Sequence, residues 1–301
     1  MKTILGFIRN YFREADKTLL ALCCFFIALC IFINYYHGLN RRISTYTDWQ
    51  QFISWYLVFI VVFSFAYIAG VLLKKADYFK KPGFISLLLI APGIFAWKMS
   101  YNVHFIFTED VLANSYWNQV VYWPFKLLVI IFLLWITWRI FDRHQPFYGT
   151  LLKQFRPGPY LWMLLIMVPL IAAASTQQDF LAVYPKLKNV LYLSEQHDSG
   201  FYKLLYELSY GSDFIGIELF FRGFLVLAFI KFAGRDAILP MALFYCTIHF
   251  GKPLGECISS FFGGLILGII TYHTRSIYGG LIVHLGIAWM MEVAGMYPLS
   301  P

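Results

Sequence analysis

Residues 18–36 and 53–73 form two runs, 19 and 21 residues long, without a charged side chain. A helix needs about 20 mostly apolar residues to cross a bilayer, and few soluble folds can bury several such runs completely. Residues 120–138 and 277–294 are similar, interrupted only by Lys126 and Glu292 among the charged residues. Shorter or broken apolar segments follow the same ruler at 82–99, which contains Pro92, and at 158–175, 214–231, 237–250 and 257–272. Composition agrees, with 60% hydrophobic and 13% charged residues, where an ordinary globular chain has about 25% charged. A cytosolic enzyme, a secreted disulfide scaffold and a disordered chain are thereby excluded. The expected fold is all-α, a polytopic membrane helix bundle of nine helices, or eight if one short segment does not cross.

The net charge of +8 does not mark a nucleic-acid partner, because the basic residues sit in short clusters between apolar runs instead of along one stripe. The expected partner is the lipid bilayer. With the N-terminus inside, 15 of the 24 Lys and Arg residues fall on the inner side and 7 on the outer, Lys126 and Arg222 lying within helices. The positive-inside rule therefore favours a cytoplasmic N-terminus. Arg9, Arg13, Glu14, Asp16 and Lys17 precede a first run long enough to span, so that run reads as retained and not as a cleaved signal. The amphipathic start, with Ile4, Phe7, Ile8 and Tyr11, is expected at the cytoplasmic surface. Cys23, Cys24, Cys30, Cys246 and Cys257 lie in or beside apolar runs without metal-ligand spacing and read as small hydrophobes.

Two regions differ in texture. Residues 1–157 are bulky and aromatic, whereas 158–301 form the expected working bundle, reached through a polar connection at 176–213. In the second region Ser260, Gly264 and Gly268 recur every fourth residue, a face that lets another helix backbone approach. No repeat or matching half suggestive of a transporter is visible.

Ionisable residues inside apolar helices are costly and mark bundle interiors or water cavities. Glu218 and Arg222 stand four residues apart, hence on one helical face. They fit a self-contained ion pair, or a carboxylate kept ionised by a guanidinium so that it can act on water. His249 and His284 add two imidazoles on two further segments. One carboxylate and two histidines suit a metal such as zinc with an open water position. They equally suit a metal-free site in which Glu218 activates water and the imidazoles polarise a carbonyl. Both arrangements point to hydrolysis. His37, His104, His144, His197 and His273 sit in or beside loops and need no special role.

Over about 214–292 the chain resembles the CPBP group of intramembrane proteases, named for CAAX proteases and bacteriocin-processing proteins and also called Abi. Ile217-Glu218-Leu-Phe-Phe-Arg222-Gly223 resembles the group's Glu-Glu-x-x-x-Arg motif, and Tyr245-Cys-Thr-Ile-His249 its aromatic four residues before histidine. Phe262-Gly-Gly-Leu-Ile-Leu-Gly268 is similar to the glycine-rich helix, and His284-Leu-Gly-Ile-Ala288 to the last histidine motif. The resemblance implies an intramembrane endopeptidase of a bacterial plasma membrane, acting on a membrane-associated peptide or protein, with Glu218, Arg222, His249 and His284 as its site. It also locates two departures, since Ile217 replaces the first glutamate and Ala288 a polar residue. Asp213, one turn before Ile217, Glu256, beyond Pro253, and Glu292, two turns after His284, are the acids available to compensate. The departures motivate an alternative function, an impaired family member acting as a membrane scaffold, regulator or bacteriocin-immunity-type protein.

Overall fold

A computed structural model describes residues 2–152, 155–190, 192 and 199–298, which leaves Lys153 and His197 outside the described residues. Those residues form an all-α fold with no strand. The helices are α1 (Lys2–Glu14), α2 (Lys17–His37), α3 (Leu39–Ile43), α4 (Asp48–Lys74), α5 (Phe84–Ser100) and α6 (Val111–Phe141). They are followed by α7 (Gly158–Ala174), α8 (Gln178–Val183), α9 (Ser199–Glu218), a π-helical segment (Leu219–Ala228) and α10 (Ile230–Ala233). The last three are α11 (Ile238–Thr247), α12 (Leu254–Thr274) and α13 (Tyr278–Met296).

Among the described residues, α2, α4, α6, α12 and α13 are long and apolar enough to cross a membrane. A sixth crossing exists if α7 and Gln178–Val190, bent by 97° to each other, count as one broken span. Each of the nine expected segments is largely helical, but α5 has 17 residues and α11 has 10, too short to qualify alone. The polar connection read at 176–213 is not a loop: α9 begins at Ser199 and carries the chain helically to Glu218. Lys203, Glu207 and Asp213 broke the apolar pattern there without breaking the helix.

The chain divides into two compact units. The first comprises residues 1–101, 133–153 and 219–277. Its centre is aromatic: Phe59, Phe63, Phe95, Phe220, Phe221, Phe224 and Phe244 are all buried. Their rings meet at 4.6 Å (Phe59–Phe244), 4.9 Å (Phe95–Phe220) and 5.4 Å (Phe221–Phe244), mostly tilted or edge-on as ring quadrupoles prefer. Every residue of the π-helical segment is buried in this unit. The amphipathic α1 turns Ile4 and Tyr11 inward and stacks Phe7 on His273 of α12 at 4.3 Å. Asp236 ties the loop before α11 to Lys74 at 3.1 Å and to the Tyr78 hydroxyl at 2.7 Å.

Two close approaches in this unit require glycine. A Cβ on Gly223 would stand 2.7 Å from the carbonyl oxygen of Tyr148, and one on Gly264 would stand 2.8 Å from Cδ1 of Tyr245. The Ser260–Gly264–Gly268 face thus does what its spacing predicts and seats α12 against α11. Gly264→Leu should lower stability by about 1–3 kcal/mol through overpacking, whereas Gly263→Leu, which meets nothing within 4 Å, should be nearly neutral. Denaturant titration of both variants in the same detergent checks the contrast, and equal stabilities would contradict it.

The second unit comprises residues 102–132, 154–218 and 278–301. One core cluster gathers Tyr116, Val120, Leu187, Val190 and Tyr206, and another Ile171, Phe180, Tyr184 and Met291. Gly286 lets α13 close on Leu164 of α7, where a Cβ would meet methyl carbons at 2.7 Å. Gly211 brings α9 within reach of Leu285 and Trp289 of α13.

Candidate active site

The second unit contains a carboxylate–imidazole pair. Glu218 closes α9 and is fully buried, at 0% exposure. His284 lies near the middle of α13, and its Nδ1 is 2.9 Å from Glu218 Oε1. With Glu218 ionised, the contact is a donation from the His284 Nδ1–H to the carboxylate. Phe214, one turn before Glu218, meets the His284 ring edge-on at 4.7 Å and limits its rotation. The close packing of α9 on α13 at Gly211 brings the two side chains together across 66 residues of sequence.

The first unit holds the other two residues that the resemblance singled out. Arg222 is the largest fully buried side chain among the described residues. Its guanidinium lies over the Tyr245 ring, with Cζ 4.1 Å from the centroid. A desolvated stack of this kind contributes up to about 2 kcal/mol. His249 follows the end of α11, where the chain turns, and its Nδ1–H donates to the Tyr245 carbonyl at 3.0 Å. Tyr245 therefore orients both residues, one with its ring and one with its backbone. The sequence displayed it as an aromatic four residues before histidine, but its contact with Arg222 had no signal in the spacing.

The stretch joining Glu218 to Arg222 is not α-helical. From Leu219 to Ala228 the backbone widens into a π-helix, a form that is rare and frequent at functional sites. With more residues per turn, Arg222 still comes about one turn after Glu218.

The possible compensating acids take different places. Asp213 lies on α9, which does begin early enough for it to precede Ile217 by one turn on the same face. Glu256, in the first turn of α12, pairs with Lys252 at 3.6 Å. Glu292 is buried, and its two oxygens accept the backbone N–H groups of Lys186 at 2.8 Å and Leu187 at 3.1 Å. It thus fastens residues 186–187 to α13. Ile217 and Ala288, where polar residues were expected, are buried at 8% and 4% exposure.

Lys126, also buried, donates to the Tyr122 hydroxyl at 2.6 Å and to Asn102 at 3.3 Å.

Glu207, on the polar first half of α9, faces Glu292. Burial first, then the Glu292 charge and a hydrogen bond to that carboxylate, push the Glu207 carboxyl up to about 7. A carboxyl raised on folding holds a proton that the unfolded chain releases near its ordinary value. Its stabilising contribution is full below about 4.5 and is lost as pH rises through about 7. The thermal midpoint should therefore fall between pH 5 and pH 8 in the wild type, and Glu207→Gln should flatten that slope. An unchanged slope in the variant would place the titration elsewhere.

Neither unit gathers three His, Cys, Asp or Glu side chains of the described residues around a point where a metal ion could sit. His284 and Glu218 meet through a proton, and His249 spends Nδ1 on a backbone carbonyl. Of the three zinc ligands considered, Glu218 and His284 share the second unit, and each histidine uses only Nδ1 in these contacts.

No curated protein sequence and no solved structure matches the chain. A family model described as type II CAAX prenyl endopeptidase Rce1-like matches residues 211–290, the stretch that carries Glu218, Arg222, Tyr245, His249 and His284. Over that stretch the chain is similar to the Rce1-like CAAX protease family.

Proposed function

We propose that this integral membrane protein is an endopeptidase that hydrolyses a peptide bond of a membrane-associated substrate, with Glu218 as general base. The observation that carries the reading is the 2.9 Å bond from His284 to a fully buried carboxylate inside the family segment. The ionised Glu218 takes a proton from water as the oxygen attacks the scissile carbonyl carbon. The same proton passes to the amide nitrogen as the C–N bond breaks. His284 keeps the carboxylate oriented throughout. Arg222 and His249, the other two residues singled out in the matched segment, are further candidates for the chemistry.

The test is protein reconstituted in liposomes and presented with membrane-proximal peptides, the products being mapped by mass spectrometry. Cleavage is expected to persist in EDTA and in 1,10-phenanthroline, because the mechanism uses no metal. Loss of turnover on chelation, restored by zinc, would overturn the metal-free assignment.

A second reading rests on the buried apolar Ile217 and Ala288: the same fold binding a peptide or partner without cleaving it. Ile217→Glu separates the two. A binding protein that lacks its second carboxylate should gain turnover, whereas a working site built around Glu218 should be damaged by another buried charge.

A further inference from the structure

Cys246 lies in the last turn of α11 and Cys257 in the first turn of α12, both fully buried. Their Sγ atoms are 3.9 Å apart. Each thiol also points at the other's backbone, Cys246 Sγ lying 3.3 Å from the Cys257 carbonyl oxygen and Cys257 Sγ 3.8 Å from that of Cys246. A disulfide bond is about 2.05 Å long, so the sulfurs need to close by about 2 Å, a distance that modest side-chain rotation covers. The two helices are already close, through Gly264 against Tyr245 and Gly268 against Met241. The chain between the cysteines is the turn after His249, and α2 holds that turn in place. Asn34 donates to the Phe250 carbonyl at 2.8 Å and the Tyr35 hydroxyl to that of Lys252 at 2.6 Å. Among the described residues no His, Asp or Glu joins the two thiols to complete a metal site. Packing as small hydrophobes explains their burial but not two sulfurs facing each other across a helix pair.

We infer that Cys246 and Cys257 form a redox-closable pair, a disulfide site that staples α11 to α12 across the turn carrying His249. Closure needs a disulfide oxidant. One cysteine, as thiolate, attacks a sulfur of the oxidant and expels one thiolate from it. The second cysteine, having lost its proton, attacks the mixed disulfide, forms the Cys246 Sγ–Cys257 Sγ bond and expels the other thiolate. Two protons leave the protein and two electrons reduce the oxidant. The closed ring confines the His249 turn in both the folded and the unfolded chain, and so stabilises the folded state.

The test uses the full chain in lipid nanodiscs, treated with 2,2′-dithiodipyridine, denatured, alkylated and digested. The expected result is a peptide bearing Cys246 linked to one bearing Cys257, absent after dithiothreitol, with Cys23, Cys24 and Cys30 unlinked. The thermal midpoint should rise by several degrees on oxidation and return on reduction, and amide exchange at 248–252 should slow. Cys246→Ala and Cys257→Ala should each abolish the link and the shift while keeping the reduced midpoint near wild type. Recovery of Cys246 and Cys257 as separate adducts, or a link from either one to Cys30, would overturn the pair. A link without a change in midpoint or exchange would overturn the staple. None of these readouts requires peptidase activity, so they stand or fall apart from the proposed function.

Discussion

Glu218→Gln is expected to lower peptide turnover by about a thousandfold while leaving the protein folded. Glutamine keeps the shape of the side chain, and its carbonyl oxygen can still accept from His284 Nδ1, but it has no negative charge with which to take a proton from water. Stability should therefore change little and kcat should collapse, with KM close to its wild-type value. His284→Ala should lose a comparable factor by another route, since the buried carboxylate then lacks the 2.9 Å partner that holds it in place. Steady-state and single-turnover kinetics on the reconstituted protein measure both. Turnover of the Glu218→Gln protein within threefold of wild type would remove Glu218 from the chemistry.

Arg222→Ala is expected to cost about 3–5 kcal/mol of stability as well as activity. The side chain removed is the largest fully buried one among the described residues, so the space it leaves is deep in the first unit and bounded by the face of Tyr245. Arg222→Lys should recover part of the stability but little of the activity, because a compact ammonium cannot reproduce a planar group stacked 4.1 Å above a ring. Tyr245→Leu should reproduce much of the Arg222→Lys phenotype, since it removes the same contact from the opposite side. Denaturant titration beside turnover measurements separates the two effects. Wild-type stability in Arg222→Ala would mean that the buried guanidinium does not support the fold.

Much of this molecule could be read before any coordinates. The long spans were legible because the bilayer imposes one length and one polarity on a helix, and α2, α4 and α13 run within a few residues of the limits that hydropathy suggested. The meeting of Glu218 with His284 was legible because groups of this kind in apolar helices need a partner. Other features left no such mark. α9 was hidden by Lys203, Glu207 and Asp213, which an apolar ruler takes for a loop although the helix carries all three half-buried. The π-helical widening after Glu218 is invisible to periodicity over ten residues. Glu292 read as a spare acid for the site, yet its oxygens bind backbone donors 105 and 106 residues away, a pairing that only the fold creates. Tyr245 stood inside a recognised motif, but nothing in its spacing announced the guanidinium above its ring.

The glycine that follows Arg222 bears on how a mutational map of this protein should be interpreted. Any side chain at position 223 drives a methyl-sized group into the Tyr148 carbonyl, and that loop is tethered through the Tyr148 hydroxyl and Asp142 to Lys231, leaving it little room to retreat. Saturation mutagenesis should accordingly score this position as intolerant as Arg222 before it, although it carries no side chain. Intolerance alone would draw the boundary of the reactive centre too wide, and only assays that separate folded yield from rate per folded molecule would redraw it.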